Sequence, residues 1–190
     1  GPPIARWEPL SQAQAEVQRA YATHDVIFIT GGAASGKTTC AVGLGLCDAL
    51  SPGTRRKNVI ALRPNVVADA PLGFLKGSLN EKLAPFAQPI FHAASKCCFN
   101  MPPGLLTVAS LGHARGVTWE DAVVIVDEAQ NCDTAQLVLC LTRLGKGSKM
   151  VFTGDPSQSD IGGARKGPAA TARWRRAAAL RGVQGVAGVG

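Results

Sequence analysis

The clearest chemistry in the sequence belongs to a glycine-rich segment suited to binding phosphate. It fits the pattern GxxxxGK(S/T) over eight consecutive residues: Gly31, Gly32, Ala33, Ala34, Ser35, Gly36, Lys37 and Thr38. Glycines let backbone N–H groups approach a phosphate chain, and a following helix N-terminus adds a favourable dipole. Lys37 can neutralise the β- and γ-phosphates, and the Thr38 hydroxyl suits Mg²⁺. We therefore predict that this P-loop, with Thr39 beside it, binds ATP and Mg²⁺.

A pair of acids directly follows an apolar run, which is a typical position for catalytic carboxylates. Asp127 and Glu128 come after Ala122–Val126, and α/β sheets present their ligands at the carboxyl ends of strands. We predict that Asp127 holds Mg²⁺ and that Glu128 is the general base toward water. A helix N-cap would also explain such acids, but Asn131 or Asp133 can supply that cap here.

A further apolar run, Met150–Thr153, also ends in polar residues. The sequence GDPSQ follows it at residues 154–158. We expect Gln158 to sense the γ-phosphate or to orient water, as glutamines do in other nucleotide hydrolases. A polar turn without a catalytic role is the alternative.

The elements that must position these residues are short apolar runs separated by helical stretches. The runs are nearly continuous rather than alternating: Val26–Thr30, Val59–Leu62, Leu105–Ala109, Ala122–Val126 and Met150–Thr153. Continuous apolar runs indicate strands buried on both faces, as in a parallel sheet. The helical stretches are Gln12–Ala22, Lys37–Leu50 and Thr134–Leu144. This alternation predicts an α/β fold, with a mainly parallel sheet and helices on both faces.

The chain has 190 residues, of which 46% are hydrophobic, and this is enough for one domain. We expect residues 1–190 to form a single P-loop domain with two irregular parts. Residues 64–104 contain six prolines and form an insertion with one or two helices. Residues 162–190 form a tail rich in Gly, Ala and Arg, in which only Ala169–Arg181 has a helical pattern.

The formal net charge of +7 lies entirely in the C-terminal part. Residues 141–190 hold nine of the 20 basic residues but only two of the 13 acidic ones. Such an excess favours an anionic partner. The stretch Ala172–Arg176 could contact nucleic-acid phosphates, although a solvated helix face is the alternative.

The sequence indicates neither a membrane-spanning segment nor a metal-binding cysteine motif. No apolar run reaches the length of about 18 residues that spans a bilayer. The six cysteines form no CxxC pair, so we expect them to be reduced and to act as small hydrophobic residues. These features predict a cytoplasmic protein.

Several segments together resemble the PhoH-like ATPases, which are relatives of the superfamily 1 helicases. They are VIVDEAQN at 124–131, LTRLGKGSKMVFTGDPSQSD at 141–160, ALRPNVVADAPLGFLKGSLNEKLAPFAQPIF at 61–91 and TVASLGHARGVTW at 107–119. The order of these segments along the chain also matches. The likeness extends over about residues 10–160, and more weakly over 173–187.

The resemblance implies a RecA-like P-loop core, ATP hydrolysis with Mg²⁺, and a link to RNA or single-stranded nucleic acid. Members also assemble as rings. Gln14 corresponds to the glutamine expected to read adenine, with Gln12 as a close rival. Arg143 is a candidate for a γ-phosphate or inter-subunit contact, or a surface residue. Arg63 and Arg115 could touch phosphate, or be solvated loop charges.

Two departures from the family pattern affect the expected activity. Ala34 replaces a glycine, and its Cβ predicts weaker phosphate binding. The family continues with another strand and a basic segment, so we expect this chain to be C-terminally truncated and to hydrolyse ATP poorly.

Two other functions are compatible with the motifs. One is a P-loop small-molecule kinase, which the pairing of acids with Gln158 disfavours because that pairing suits water. The other is a nonhydrolytic ATP-bound switch or assembly subunit.

Overall fold

The computed structural model describes residues 1–32, 35–64, 84–158 and 172–176, together with the backbone of residues 186–188. Within these ranges the strands are β1 (Ile4–Ala5), β2 (Val26–Thr30), β3 (Asn58–Arg63), β4 (Cys98–Phe99), β5 (Leu106–Ser110), β6 (Ala122–Val126), β7 (Lys149–Gly154) and β8 (Val186–Gly188). The α-helices are α1 (Gln12–Thr23), α2 (Lys37–Ala49), α3 (Ala84–Cys97) and α4 (Thr134–Thr142). Residues 172–176 are also helical.

Six strands form one sheet in the order β5–β3–β6–β7–β2–β8. Each neighbouring pair is parallel. The predicted α/β fold with a parallel sheet is therefore confirmed. The five predicted strands agree with the observed ones to within one residue at each end.

The sixth strand, β8, was not predicted. It pairs with β2 through Phe28↔Val186, Ile29↔Ala187 and Thr30↔Gly188. For the residues after 154, the sequence indicated only the helical pattern of Ala169–Arg181. Three small residues carry too little pattern to reveal a strand, and their position is set by the exposed edge of β2.

The core has two sides because the sheet is covered on both faces. Along β6, Val123 and Ile125 pack on the side of α1, α2 and α3, while Val124 and Val126 pack on the side of α4. All of β6 is buried. This explains why its sequence is continuously apolar rather than alternating.

Two glycines in α2, expected to weaken the helix, allow close packing instead. A Cβ on Gly43 would collide with the indole of Trp7, and one on Gly45 would lie 3.2 Å from Val123. Helix α2 therefore lies unusually close to the sheet and to the N-terminal segment. The cost in helix propensity is offset by this contact.

Helices α1 and α4 begin at side-chain caps that the sequence provides. The Ser11 side chain accepts a hydrogen bond from the Gln14 amide at the start of α1. Asp133 and Gln136 form a reciprocal capping box at the start of α4. Asp133 therefore takes the capping role, which leaves Asp127 and Glu128 free for other contacts.

The predicted insertion contains α3 and β4, and β4 pairs antiparallel with β1. Phe86 and Phe91 lie on α3, whereas Phe74 lies outside the described residues. Within the described part of the chain, no helix has the length and apolar character needed to cross a bilayer.

The six cysteines are free, as predicted, and five of them are buried. Burial raises the pKa of the Cys40 and Cys140 thiols to about 12. They act as small apolar residues of the core, with little tendency to ionise.

Candidate functional site

The candidate site lies at the carboxyl edge of the sheet, where four adjacent strands end. These strands are β3, β6, β7 and β2, in that order across the sheet. They are followed by Pro64, Asp127, Asp155 and Gly31, respectively. Parallel strands thus bring together residues that are far apart in sequence, at the edge where α/β proteins bind ligands.

The P-loop connects β2 to α2, as its motif requires. Lys37 Nζ donates to the Gly32 carbonyl at 2.6 Å and to the Ser35 hydroxyl at 3.3 Å. Gly36 has φ 80°, a left-handed conformation that favours glycine. Lys37 therefore lies across the loop while Gly36 turns the chain into the helix. Ala33 and Ala34 lie outside the described residues.

Asp127 is the buried centre of the site, with 2% of its surface exposed. Its Oδ1 accepts hydrogen bonds from the hydroxyls of Thr38, at 3.1 Å, and Thr153, at 2.6 Å. Its Oδ2 lies 3.2 Å from Arg63 Nε. One carboxylate thus joins the ends of three strands to the first turn of α2.

The donor set around Asp127 fits Mg²⁺. A hydroxyl and a carboxylate are hard oxygen ligands, and Mg²⁺ in nucleotide sites typically uses one or two such groups together with phosphates. The described residues contain no group of three or more His, Cys, Asp or Glu side chains that could hold a metal. Thr38 and Asp127 carry the oxygen donors that could hold Mg²⁺ here.

Glu128 occupies a strained turn immediately after Asp127. Its backbone has φ 57° and ψ 43°, a left-handed conformation that is uncommon for residues other than glycine. Its side chain is 43% exposed. Gln130 Nε2 donates to Glu128 Oε2 at 2.6 Å, and Arg63 Nη1 lies 3.9 Å from Oε1. The Glu128 carboxylate is therefore accessible to solvent, and these contacts fix its orientation.

Gln130 and Asp155 join this turn to the end of β7, and sequence reasoning assigned neither of them a role. The Asp155 amide donates to Gln130 Oε1 at 3.1 Å. The Asp155 carboxylate accepts from the Ser157 hydroxyl at 2.7 Å, which together with the charge of Lys37 lowers its pKa. The polar residues of DEAQ and GDPSQ were visible in the sequence. The hydrogen bond between Gln130 and Asp155, however, forms only because β6 and β7 are neighbours in the sheet.

Gln158 lies on the same edge, three residues after Asp155. Its amide donates to the Asp155 carbonyl at 3.0 Å, and its side chain is exposed. The structure thus brings Gln158 to the edge of the site, but its side chain has no hydrogen bond to the part of the chain that the structure describes.

Gln14, rather than Gln12, lies against the P-loop. A Cβ on Gly36 would be 3.3 Å from Gln14 Nε2. Gln14 Oε1 accepts from the Leu10 amide at 2.8 Å, which fixes the side chain over the start of α1. Gln12 is exposed.

Arg143 is not brought to this site. It ends α4, and its carbonyl accepts from the amide of Trp119, which precedes β6. Because nine helical residues span about 14 Å, α4 carries the chain from the carboxyl edge back to the amino edge of the sheet. A γ-phosphate contact of Arg143 within its own subunit is therefore incompatible with the fold, and the inter-subunit alternative stays a prediction.

Arg63 contacts carboxylates rather than lying free in a loop. Besides Asp127 and Glu128, its guanidinium lies over the ring of Phe86 at 5.4 Å. The insertion therefore reaches the site through α3. Arg115, by contrast, is exposed.

The tail contributes a contact that sequence reasoning missed. Trp174 is 1% exposed and stacks on Phe28 with ring centroids 5.4 Å apart. Arg173 Nη2 donates to the Gln130 carbonyl at 3.2 Å. Arg173 thus contacts the acidic turn and is half-buried, whereas Arg175 and Arg176 are exposed.

A model of the family described as PhoH-like protein matches residues 6–187. The chain belongs to the PhoH-like family. This PhoH-like chain is 40% identical over 182 residues to a PhoH-like protein of Bacillus subtilis, covering 93% of this chain and 55% of that protein. It is 43% identical over 154 residues to a PhoH-like protein of Synechocystis sp., covering 78% and 46%.

Protein PhoH of Escherichia coli is 34% identical over 159 residues, covering 80% of the PhoH-like chain and 44% of that protein. The chain thus spans about half the length of the curated relatives it matches. A solved structure of a large terminase from a thermophilic bacteriophage, in complex with ADP, superposes with a TM-score of 0.51 at 14% identity. It covers 78% of this chain and 39% of the terminase chain. This likeness supports the P-loop nucleotide-binding fold.

Proposed function

We propose that this chain is a Mg²⁺-dependent ATPase whose turnover is coupled to RNA or another single-stranded nucleic acid. The observation that carries the ATPase proposal is the contact of Thr38, on the P-loop helix, with the buried Asp127 at 3.1 Å. A P-loop hydroxyl and a strand-end acid are the pair that holds Mg²⁺ in other P-loop hydrolases. The family membership supports the same conclusion.

In this proposal the protein groups act on water and on the transferred phosphoryl group. Thr38 and Asp127 would hold Mg²⁺, which would supply neutralisation of the phosphate charge when bound. Lys37 stabilises the same phosphates. Glu128 accepts a proton from water as the water oxygen bonds to the γ-phosphorus, and the bond to ADP breaks. Gln158 senses the γ-phosphate.

Gln130 gives Glu128 a defined direction for this step. It donates to Glu128 Oε2, whereas Oε1 has Arg63 Nη1 only at 3.9 Å, so Oε1 is the oxygen that takes the proton in this proposal. Gln14 would contact the adenine, because it lies beside Gly36 of the P-loop.

The coupling to nucleic acid rests on charge and on the family. Arg175 and Arg176 are exposed on the helical segment 172–176, and arginines bind a phosphate backbone without a sequence code. We further propose a cytoplasmic protein that forms a homo-oligomeric ring. In such a ring Arg143 would contact the nucleotide of a neighbouring subunit.

The test is steady-state release of phosphate from Mg²⁺-ATP, with and without single-stranded RNA, over a salt series. We expect turnover that RNA stimulates at low salt and that loses this stimulation as salt rises. Glu128→Gln should lower kcat at least about 100-fold while a fluorescent ATP analogue still binds.

Three outcomes contradict parts of this proposal. Transfer of phosphate to an added nucleoside in excess of free phosphate would indicate a kinase. Binding of ATP with no turnover, unchanged by Glu128→Gln, would indicate a nonhydrolytic switch. Turnover that RNA does not change at low salt would leave an ATPase without the nucleic-acid coupling.

A further inference from the structure

The turn that carries Glu128 needs support from outside itself. A left-handed backbone is unfavourable for a residue other than glycine, and it persists only where surrounding contacts hold it. Residues Ala129–Asn131 follow as a single 3-10 turn, with the Asn131 amide donating to the Glu128 carbonyl at 3.0 Å. The Cys132 amide likewise donates to the Ala129 carbonyl at 3.0 Å, and the hydrogen bonds of a 3-10 turn have poorer geometry than those of an α-helix.

Two side chains from the C-terminal part bind the first two carbonyls after Glu128. Trp174 Nε1 donates to the Ala129 carbonyl at 3.3 Å. Arg173 Nη2 donates to the Gln130 carbonyl at 3.2 Å. Both donors come from one helical segment, residues 172–176, so they hold the turn at two successive positions.

The same indole packs against the neighbouring strand end. A Cβ on Gly154 would lie 2.9 Å from Trp174 Cη2 and 2.5 Å from Gln130 Oε1. Trp174 and the side-chain amide of Gln130 therefore both pack against Gly154. Any residue with a Cβ at this position would collide with them. This contact keeps Gln130 in reach of both Glu128 and the Asp155 amide.

We propose that Trp174 and Arg173 are positioning residues for Glu128. The segment 172–176 fixes the turn after the acidic strand, and the turn fixes the direction in which the carboxylate meets water. This inference rests on the proposed function, in which Glu128 is the general base. Catalysis by Glu128 would then depend on residues distant in sequence, since Trp174 lies 45 positions after Ala129.

The test compares Trp174→Phe with Trp119→Phe in the full chain. Phenylalanine keeps a ring against Phe28 but removes the N–H that binds Ala129. Trp119 is also a buried tryptophan on the same side of the sheet, but it precedes β6 at the amino edge, far from the turn. We expect Trp174→Phe to lower kcat about tenfold, with less than a twofold change in affinity for a fluorescent ATP analogue. Trp119→Phe should lower the thermal midpoint but leave kcat within twofold.

A second pair of variants tests Arg173. Arg173→Gln should lower kcat, and Arg173→Lys, which keeps one donor, should restore part of it. Arg19→Gln makes the same charge change on an exposed position of α1 and should leave kcat unchanged. Equal losses of kcat in Trp174→Phe and Trp119→Phe, or unchanged kcat in both Trp174→Phe and Arg173→Gln, would overturn the inference.

Hydrogen exchange provides a measurement that does not depend on turnover. Trp174→Phe should speed exchange of the amides at 129–132 about tenfold and leave those of α2 unchanged. Unchanged exchange at 129–132 would overturn the inference even if kcat fell. An absence of turnover in the unsubstituted chain would refute the proposed ATPase instead, and exchange would still decide whether the segment holds the turn.

Discussion

Replacing Asp127 by Asn should destabilise the nucleotide-free protein by about 3 kcal/mol. The side chains of Asp127 and Arg63 are 3% and 15% exposed, and their charged atoms lie 3.2 Å apart. Removing one charge of a buried pair leaves the other without compensation, which costs about 3–5 kcal/mol. The lower figure applies because Glu128 still lies 3.9 Å from the guanidinium.

Urea unfolding without nucleotide measures this loss directly. With a slope of about 2 kcal/mol per molar urea, 3 kcal/mol lowers the midpoint by about 1.5 M. The corresponding fall in Tm is about 6–12 °C for a chain of this size. The hydroxyls of Thr38 and Thr153 can still donate to the asparagine oxygen, so the effect reports mainly on the ion pair.

A double-mutant cycle separates the pair from other effects of the substitution. Asp127→Asn, Arg63→Met and the double variant should reveal a coupling of about 2 kcal/mol. The matched control is Arg55→Met with Asp121→Asn, a pair whose side chains are 59% and 32% exposed and whose coupling should stay below about 1 kcal/mol. Additive effects of Asp127→Asn and Arg63→Met, within about 0.5 kcal/mol, would show that the two side chains are not coupled as an ion pair.

Three further predictions concern packing and ionisation. Gly43→Ala should lower the free energy of unfolding by about 1–3 kcal/mol, because its Cβ would meet Trp7; an unchanged Tm would contradict this packing. Burial raises the pKa of Cys140 from 9.0 to about 12. The unfolded chain therefore loses that proton first, and stability should fall as pH rises from about 9 toward 12. Cys140→Ala should make the decline shallower in alkaline unfolding, and an identical slope would argue against the shift. Ser157→Ala should raise the pKa of Asp155 toward its ordinary value, because the hydroxyl bond is the main cause of its lowering; carboxyl titration by NMR measures this.

The sequence predicts the sheet well because its signal is local. A strand buried on both faces must be apolar throughout, and β6 is both the most apolar run and fully buried. The P-loop is predictable for the same reason, since its glycines, Lys37 and Thr38 are consecutive. The proximity of Thr38 to Asp127 follows from the parallel order of the strands.

The remaining features depend on contacts that no local pattern contains. Gly43 weakens a helix in isolation but accommodates Trp7 in the fold. Trp174 stands in a segment rich in arginine and alanine, and its burial depends on contacts with Phe28 and Gly154, which are distant in sequence. The position of Arg143 cannot be predicted without knowing that α4 returns to the amino edge of the sheet. The sequence indicates this return only when the strand order is known.

The position of β2 in the sheet has a consequence for synthesis of the chain. The strand that leads into the P-loop pairs only with strands that begin at residues 149 and 186. Since chains emerge from the ribosome N-terminus first, β2 and the P-loop are exposed long before either partner exists. Until then Val26–Thr30 is an unpaired apolar edge, which can pair with another chain. A nucleotide can therefore stabilise this site only late in synthesis, after β7 has paired with β2.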